Sequence, residues 1–133
     1  MVEGEKKFTS AGSLKPGSYV LIEDEPCQVK SVEKSKPGKH GAAKVRVTAM
    51  GVFKETKKNL LKPVDASVNV PIILKASAQV VAMMGPLVQM MDMTSYETFD
   101  VEKPKDVANL TSGIEVEYIR WGSSIKIVRK KSN

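Results

Sequence analysis

The chain has 133 residues, 41% of them hydrophobic and 27% charged, with a net charge of +6; that balance is enough for one ordinary folded domain or two very small ones and excludes a disordered tail. Its longest uncharged stretch, 76–91, is divided by Gly85-Pro86 and falls short of the roughly 20 apolar residues that a membrane-spanning helix needs. The polar opening Met1-Val2-Glu3-Gly4-Glu5-Lys6 leads into no apolar signal core, and one cysteine, Cys27, excludes an internal disulfide, so a protein of the reducing cytoplasm is expected.

The charge is unevenly spread. Residues 1–70 carry 13 Lys/Arg against 8 Asp/Glu, net +5, whereas 71–133 carry 8 against 7, net +1. Within 26–62, ten basic residues face only Glu33 and Glu55, net +8. A basic surface of that density points to polyphosphate partners, RNA above all, although lysines also serve general solubility.

In chain order, 1–7 is polar and reads as a frayed start. Lys15-Pro16-Gly17-Ser18 is a turn, Tyr19-Val20-Leu21-Ile22 a buried strand, and Glu23-Asp24-Glu25-Pro26 a second turn; because Pro26 cannot donate to a ladder, pairing is expected after it. Cys27-Gln28-Val29-Lys30-Ser31-Val32 and Ala43-Lys44-Val45-Arg46-Val47-Thr48 both alternate apolar and polar residues, the period of half-buried strands. Ser35-Lys36-Pro37-Gly38-Lys39-His40-Gly41 lies between them, so the three together read as a β-hairpin with an extended loop. Met50-Gly51-Val52-Phe53 turns the chain and 54–61 returns as a charged strand. No segment here has a helical period, and some five short strands suggest a small barrel.

The segment 61–71, bracketed by Pro63 and Pro71, is the expected boundary, giving domains 1–70 and 71–133. Strands follow at 72–74, 79–84, 87–91 and 97–101. A short helical turn is expected at 105–110, then a hairpin of 114–119 and 124–128 around Trp121-Gly122-Ser123. Five strands with one late helix fit an OB-like barrel. Five of the seven methionines fall in 83–93 and read as core filler rather than an adaptable surface. Tyr96, Phe99, Tyr118 and Trp121 are the aromatics available for base stacking in this half, and the strand positions suggest that some are buried.

Few residues suggest catalysis. Cys27 reads as a small buried hydrophobe with no histidine or second cysteine near it in sequence. His40 is the sole histidine and would lack partners as a metal ligand, so no metal is expected. No phosphate-cradling loop or Ser/His/Asp set is present, and an enzyme is not expected. From spacing alone, Lys39 is an amine in a Gly/Pro loop, and most such lysines are simply solvated.

The run from Ser35 to Val45 resembles the hypusine loop of the translation initiation factor 5A family, which is related to bacterial elongation factor P. Every fixed position of that family's Ser-Lys-x-Gly-Lys-His-Gly-x-Ala-Lys-Val run is matched. The likeness extends to Leu14-Lys15-Pro16-Gly17-Ser18-Tyr19-Val20, to the Val70-Pro71 junction and to a second β-rich half of the right length. It covers nearly the whole chain, lacking only the longer N-terminal tail of eukaryotic members, so the compact form resembles the archaeal branch.

The resemblance implies an all-β fold of two small barrels, N-terminal SH3-like and C-terminal OB-fold. It implies that Lys39 receives an aminobutyl group from spermidine through deoxyhypusine synthase, with no other cofactor. Ser35, Lys36, Pro37, Gly38, His40, Gly41, Lys44 and Arg46 would form the modification loop and its RNA contacts. The modified arm would act on the ribosome beside peptidyl-tRNA and promote peptide-bond formation; the protein would be cytoplasmic, monomeric and without membrane contact. Two positions depart from the usual pattern. Ala42 stands where eukaryotic members typically carry a second histidine, which leaves deoxyhypusine and hypusine both open, and Pro37 stands where Thr is common. A plain RNA-binding module that uses the basic face without modification, and a scaffold that uses its OB-like half for protein contacts, are the competing classes.

Overall fold

The computed structural model describes residues 4–35 and 43–131. They fold as an all-β chain in two compact units, Glu5–Ile72 and a second that begins at Ile73 and takes in Gly4.

The first unit contains six strands: β1 (Lys6–Ser10), β2 (Tyr19–Ile22), β3 (Glu25–Ser35), β4 (Lys44–Gly51), β5 (Lys57–Pro63) and β6 (Ser67–Pro71). Strands β2-β3-β4-β5 form an antiparallel sheet, and β1 pairs with β6 in a separate ribbon. Between β1 and β2 a 3-10 turn at Ala11–Ser13 ties the ribbon to the end of β5, as Ala11 N–H donates to Ala66 O at 2.8 Å and Gly12 N–H to Val64 O at 2.9 Å. A side chain at Gly12 would strike Val64, so the close approach needs a glycine. Val20, Ile22, Cys27, Val29, Val45, Val47 and Ala49 turn inward and close an SH3-like barrel.

Several local expectations change. A strand not expected from the sequence forms near the N-terminus: Lys6–Ser10 pairs residue for residue with Ser67–Pro71. The turn after β2 is two residues long, with Glu23 and Asp24 both at positive φ (52° and 62°), and β3 starts at Glu25 with Pro26 opposite Leu21. Tyr19–Ile22 is only half-buried, with Val20 and Ile22 facing inward. The 61–71 segment, expected to hold the boundary, carries the end of β5 and all of β6, and the two units divide just after it, between Ile72 and Ile73.

The second unit is a five-stranded antiparallel sheet of order β11-β10-β7-β8-β9. Its strands are β7 (Leu74–Met84), β8 (Leu87–Asp92), β9 (Thr98–Glu102), β10 (Glu115–Trp121) and β11 (Ser124–Lys130). Val80, Val88, Met90, Val101, Val116, Tyr118 and Ile127 fill its core, in the OB type of barrel. No helix forms at 105–110: Lys105 and Asp106 make a turn and the chain then runs irregularly to Leu110, which is buried against the core. The methionines divide. Met90 is fully buried and Met83 packs on the core, whereas Met84 and Met93 are exposed. Tyr118 and Trp121 are buried, and Tyr96 stands out in solvent.

Candidate nucleic-acid interface at the basic hairpin

The β3–β4 hairpin is built by alternation with one interruption. Cys27 and Val29 point into the core, then the pairing shifts between Val29 and Ser31, leaving Lys30 as the extra residue of a bulge. A bulge switches which residues face inward and bends the strand; beyond it Val32, not Ser31, packs on the core. The bend is pinned from the turn before β2, where Val29 N–H donates to Ser18 O and Gly17 N–H to Val29 O, both at 2.8 Å. The paired part of the hairpin therefore continues past the barrel to its last rung, Ser35 opposite Lys44.

Strand β5 supports β4 over the same length. Lys44 lies opposite Pro63, Val45 opposite Lys62 and Arg46 opposite Leu61, and Val64 N–H donates to Ala43 O at 2.9 Å. Three rungs thus lie at the mouth of the loop: Ser35–Lys44–Pro63, Lys34–Val45–Lys62 and Glu33–Arg46–Leu61. Residues paired directly across antiparallel strands share a face, so Lys44 and Arg46 are on one face and Lys34 and Lys62 on the other, all exposed. Four cations against Glu33 leave the mouth net positive on both faces, more so on that of Lys34 and Lys62, since Glu33 shares a rung with Arg46. Phosphates are bound by such clusters through charge-assisted contacts that do not read sequence.

Two acidic residues of this unit are tied up elsewhere, at Lys58. Lys58 donates to Glu23 at 3.0 Å and lies 3.7 Å from Glu25, whose other carboxylate oxygen accepts from Thr56 Oγ1 at 2.8 Å. The hydrogen bond to Glu23 holds the Lys58 amine above its ordinary range. Burial, reinforced by the negative charge of Glu25, pushes the Cys27 thiol up to about 11, which fits a packing residue and not a nucleophile.

Of the residues singled out in the sequence, Ser35, Lys44 and Arg46 come together at the mouth. Lys36, Pro37, Gly38, Lys39, His40 and Gly41 lie outside the described residues. Lys34 and Lys62 were not singled out; the basic block 26–62 contains both, but Lys34 reaches Val45 through the β3–β4 register past the bulge and Lys62 through the β5 register, which no local pattern gives. Among the described residues no cluster of three His, Cys, Asp or Glu side chains could hold a metal ion, and no helix is long and apolar enough to cross a membrane.

A second polar centre, in the second unit, also escaped the sequence reading. Asp92, buried at the end of β8, accepts from Thr94 N–H and Ser95 N–H at 2.8 Å through Oδ1 and from the Tyr118 hydroxyl through Oδ2. The Tyr118 bond, with the two backbone donors, holds the Asp92 carboxyl below the usual carboxylate range, while burial and Asp92 raise the tyrosine. Asp-Met-Thr-Ser signals such an Asx turn, but nothing local signals the tyrosine 26 residues away.

Comparison with known proteins agrees with this geometry. Residues 5–66 match the family model "Translation initiation factor 5A-like, N-terminal". The chain is 50% identical over 125 residues to translation initiation factor 5A of Korarchaeum cryptofilum, covering 92% of this chain and 93% of the relative. It is also 50% identical to the factor of that name from Methanopyrus kandleri, covering 92% of each. Among solved structures, eukaryotic translation initiation factor 5A from Methanococcus jannaschii superposes with a TM-score of 0.89 at 42% identity, over 97% of this chain and 98% of that one. A family protein from Naegleria fowleri gives 0.75 at 28% identity, over 96% and 99%.

Proposed function

Because this chain belongs to the translation initiation factor 5A family, we propose that it binds the ribosome beside peptidyl-tRNA and promotes peptide-bond formation through a modified lysine, Lys39. The observation that carries the reading is the hairpin mouth. Paired backbone runs to Ser35 and Lys44, braced by β5, so the segment bearing Lys39 starts and ends on a fixed basic platform.

Each residue has a chemical task. A primary amine can lose a proton and attack carbon, which an arginine cannot do. In the transfer, Lys39 Nζ forms a bond to the butyl carbon of spermidine as spermidine's own bond from that carbon to its secondary nitrogen breaks, and a diamine leaves. Deoxyhypusine synthase supplies the catalysis, so Lys39 is a substrate and this chain is not itself an enzyme. The product is a longer arm with an added cationic nitrogen, suited to phosphates in a narrow channel. Lys36, Lys44 and Arg46 hold RNA backbone, and Ser35, Pro37, Gly38, His40 and Gly41 shape the loop that the synthase reads. On the ribosome the arm steadies the acceptor end of the tRNA, and the benefit is one of positioning. The protein acts in the cytoplasm as a monomer.

Lys39→Arg tests the reading. A modified factor loses stimulation of slow peptide bonds by at least about tenfold, roughly 1.4 kcal/mol of barrier, while its affinity for bulk RNA is little changed. If Lys39→Arg keeps full activity, the protein is a charge-based RNA binder and the arm is discarded.

A further inference from the structure

The usual ligand-binding face of an OB barrel, that of its second and third strands, has the wrong chemistry here for nucleic acid. Those strands are β8 and β9. Their outward rungs are Leu87–Glu102, Gln89–Asp100 and Met91–Thr98, and Met84 of β7 extends the first of them. They offer no aromatic ring and no cation. They offer an apolar stripe broken at its middle by Gln89, with Met84 39% and Leu87 36% exposed at one end and Met93 39% exposed at the other. Asp100 and Glu102 line one side of it. At strand rise, Leu87 to Met93 spans roughly 20 Å. Of the unit's cations, Arg129, Lys131 and Lys75 act on Glu117 of β10, on the far side of β7, while Lys103 follows Glu102 at the Leu87 end of the stripe, its N–H donating to Pro86 O at 2.9 Å.

The end of the stripe at Met93 carries an unusual residue. Tyr96 is 70% exposed and sits at φ 63°, a left-handed conformation that a bulky side chain adopts only when its surroundings impose it. The imposing contacts are internal: Tyr96 N–H donates to Asp92 O, Asp92 N–H to Glu97 O, and the Asp92 carboxylate binds Thr94, Ser95 and Tyr118. A buried carboxylate network thus holds an aromatic side chain out in solvent at a cost in backbone strain. Such preorganised aromatics are what binding surfaces use as anchors.

We propose that the outer face of β8, from Met84 and Leu87 to Met93 and Tyr96, docks a protein segment whose apolar side chains alternate with lysines and arginines. Apolar partners fill the stripe, with Tyr96 as the anchor. Basic partners meet Asp100 and Glu102, which would repel a phosphate backbone. The partner is sought on the ribosome, so in that respect the inference rests on the function proposed above.

The test places a benzophenone photocrosslinking residue at Leu87 of the full, natively modified chain. A second protein carries it at Leu61, beside the hairpin mouth, as a reporter of ribosome binding. Each is irradiated with purified ribosomes of the source organism. The expected result is an adduct from position 87 to a ribosomal protein, at a peptide containing Lys or Arg. Asp100→Lys with Glu102→Lys should lower its yield about tenfold, leaving the position-61 adduct unchanged. Tyr96→Gly should lower the yield and yet preserve or raise the stability of the second unit, because glycine relieves the strain. Crosslinking from 87 to RNA alone, no adduct from 87 while 61 reacts, or a yield indifferent to both variants overturns the proposal. Silence at both positions overturns it together with the ribosomal reading.

Discussion

The two units are barrels of similar size that deploy charge in opposite ways. In the first, acidic residues are drawn to Lys58 through Glu23 and Glu25, while Lys34, Lys44, Arg46 and Lys62 crowd the hairpin mouth. In the second, Lys75, Arg129 and Lys131 act on Glu117, where Arg129 Nε lies 2.6 Å from its carboxylate, and the outer rungs of β8 and β9 set Leu87 and Met91 beside Asp100 and Glu102. The carboxylate of Asp92 is used internally, to fix a loop. On the readings proposed above, the first unit presents a surface for polyphosphate and the second a surface for protein. What separates them is which rungs of the sheets receive the charge.

The contrast can be tested unit by unit, because the sole cysteine, Cys27, is buried in the first and the sole tryptophan, Trp121, in the second. Met90→Ala should give the largest effect. Met90 is fully buried in the second core, and its truncation should cost about 2–5 kcal/mol, read as an earlier Trp121 fluorescence transition while Cys27 stays protected from thiol reagents. Simultaneous loss of both signals would show that the units do not unfold separately.

Asp92→Asn should cost the second unit about 1–3 kcal/mol at neutral pH, the range for breaking a hydrogen-bonded buried charge. The pH dependence has a definite sign. The Asp92 carboxyl is held below its ordinary value in the fold, so its stabilisation is present above the unfolded pKa and is lost as pH falls below about 4. Acid titration of Trp121 should show this slope in the native chain and not in Asp92→Asn.

In the first unit the dependence runs the other way. The Cys27 thiol rises from 9.0 to about 11, so its contribution is whole below pH 9 and is lost as pH climbs through 11, a change on the order of 3 kcal/mol. Cys27→Ala should flatten that alkaline slope; a second unit that melts first in alkali in both proteins would contradict it. The smallest effects belong to the mouth. Lys44→Ala and Arg46→Ala should leave both melting transitions in place and each lower the salt slope of RNA binding by about 1, whereas Lys126→Ala in the second unit should not.

Legibility in the sequence followed the range of the interactions. The β3–β4 and β10–β11 hairpins were readable because alternation and turn residues such as Gly122, at φ 59°, are local signals. Lys6–Ser10 was not, for Lys-Lys-Phe-Thr-Ser carries no alternation and becomes a strand only by pairing with Ser67–Pro71. The helical turn expected at 105–110 failed because Leu110 is held by burial and not by a helical repeat. Bulges at Lys30 and Val81 shift the inward face in mid-strand without a glycine to announce them. The loop motif around Lys39 could be read directly, being contiguous. Lys62, which flanks its base from β5, and the strained Tyr96 depend on contacts far apart in the chain.

The most direct test of the central claim is peptide mass spectrometry of the protein purified from its native source. An addition with the mass of an aminobutyl group, with or without one oxygen, confined to the peptide carrying Lys39, is the predicted result. Fully active protein whose Lys39 is unmodified would contradict the account.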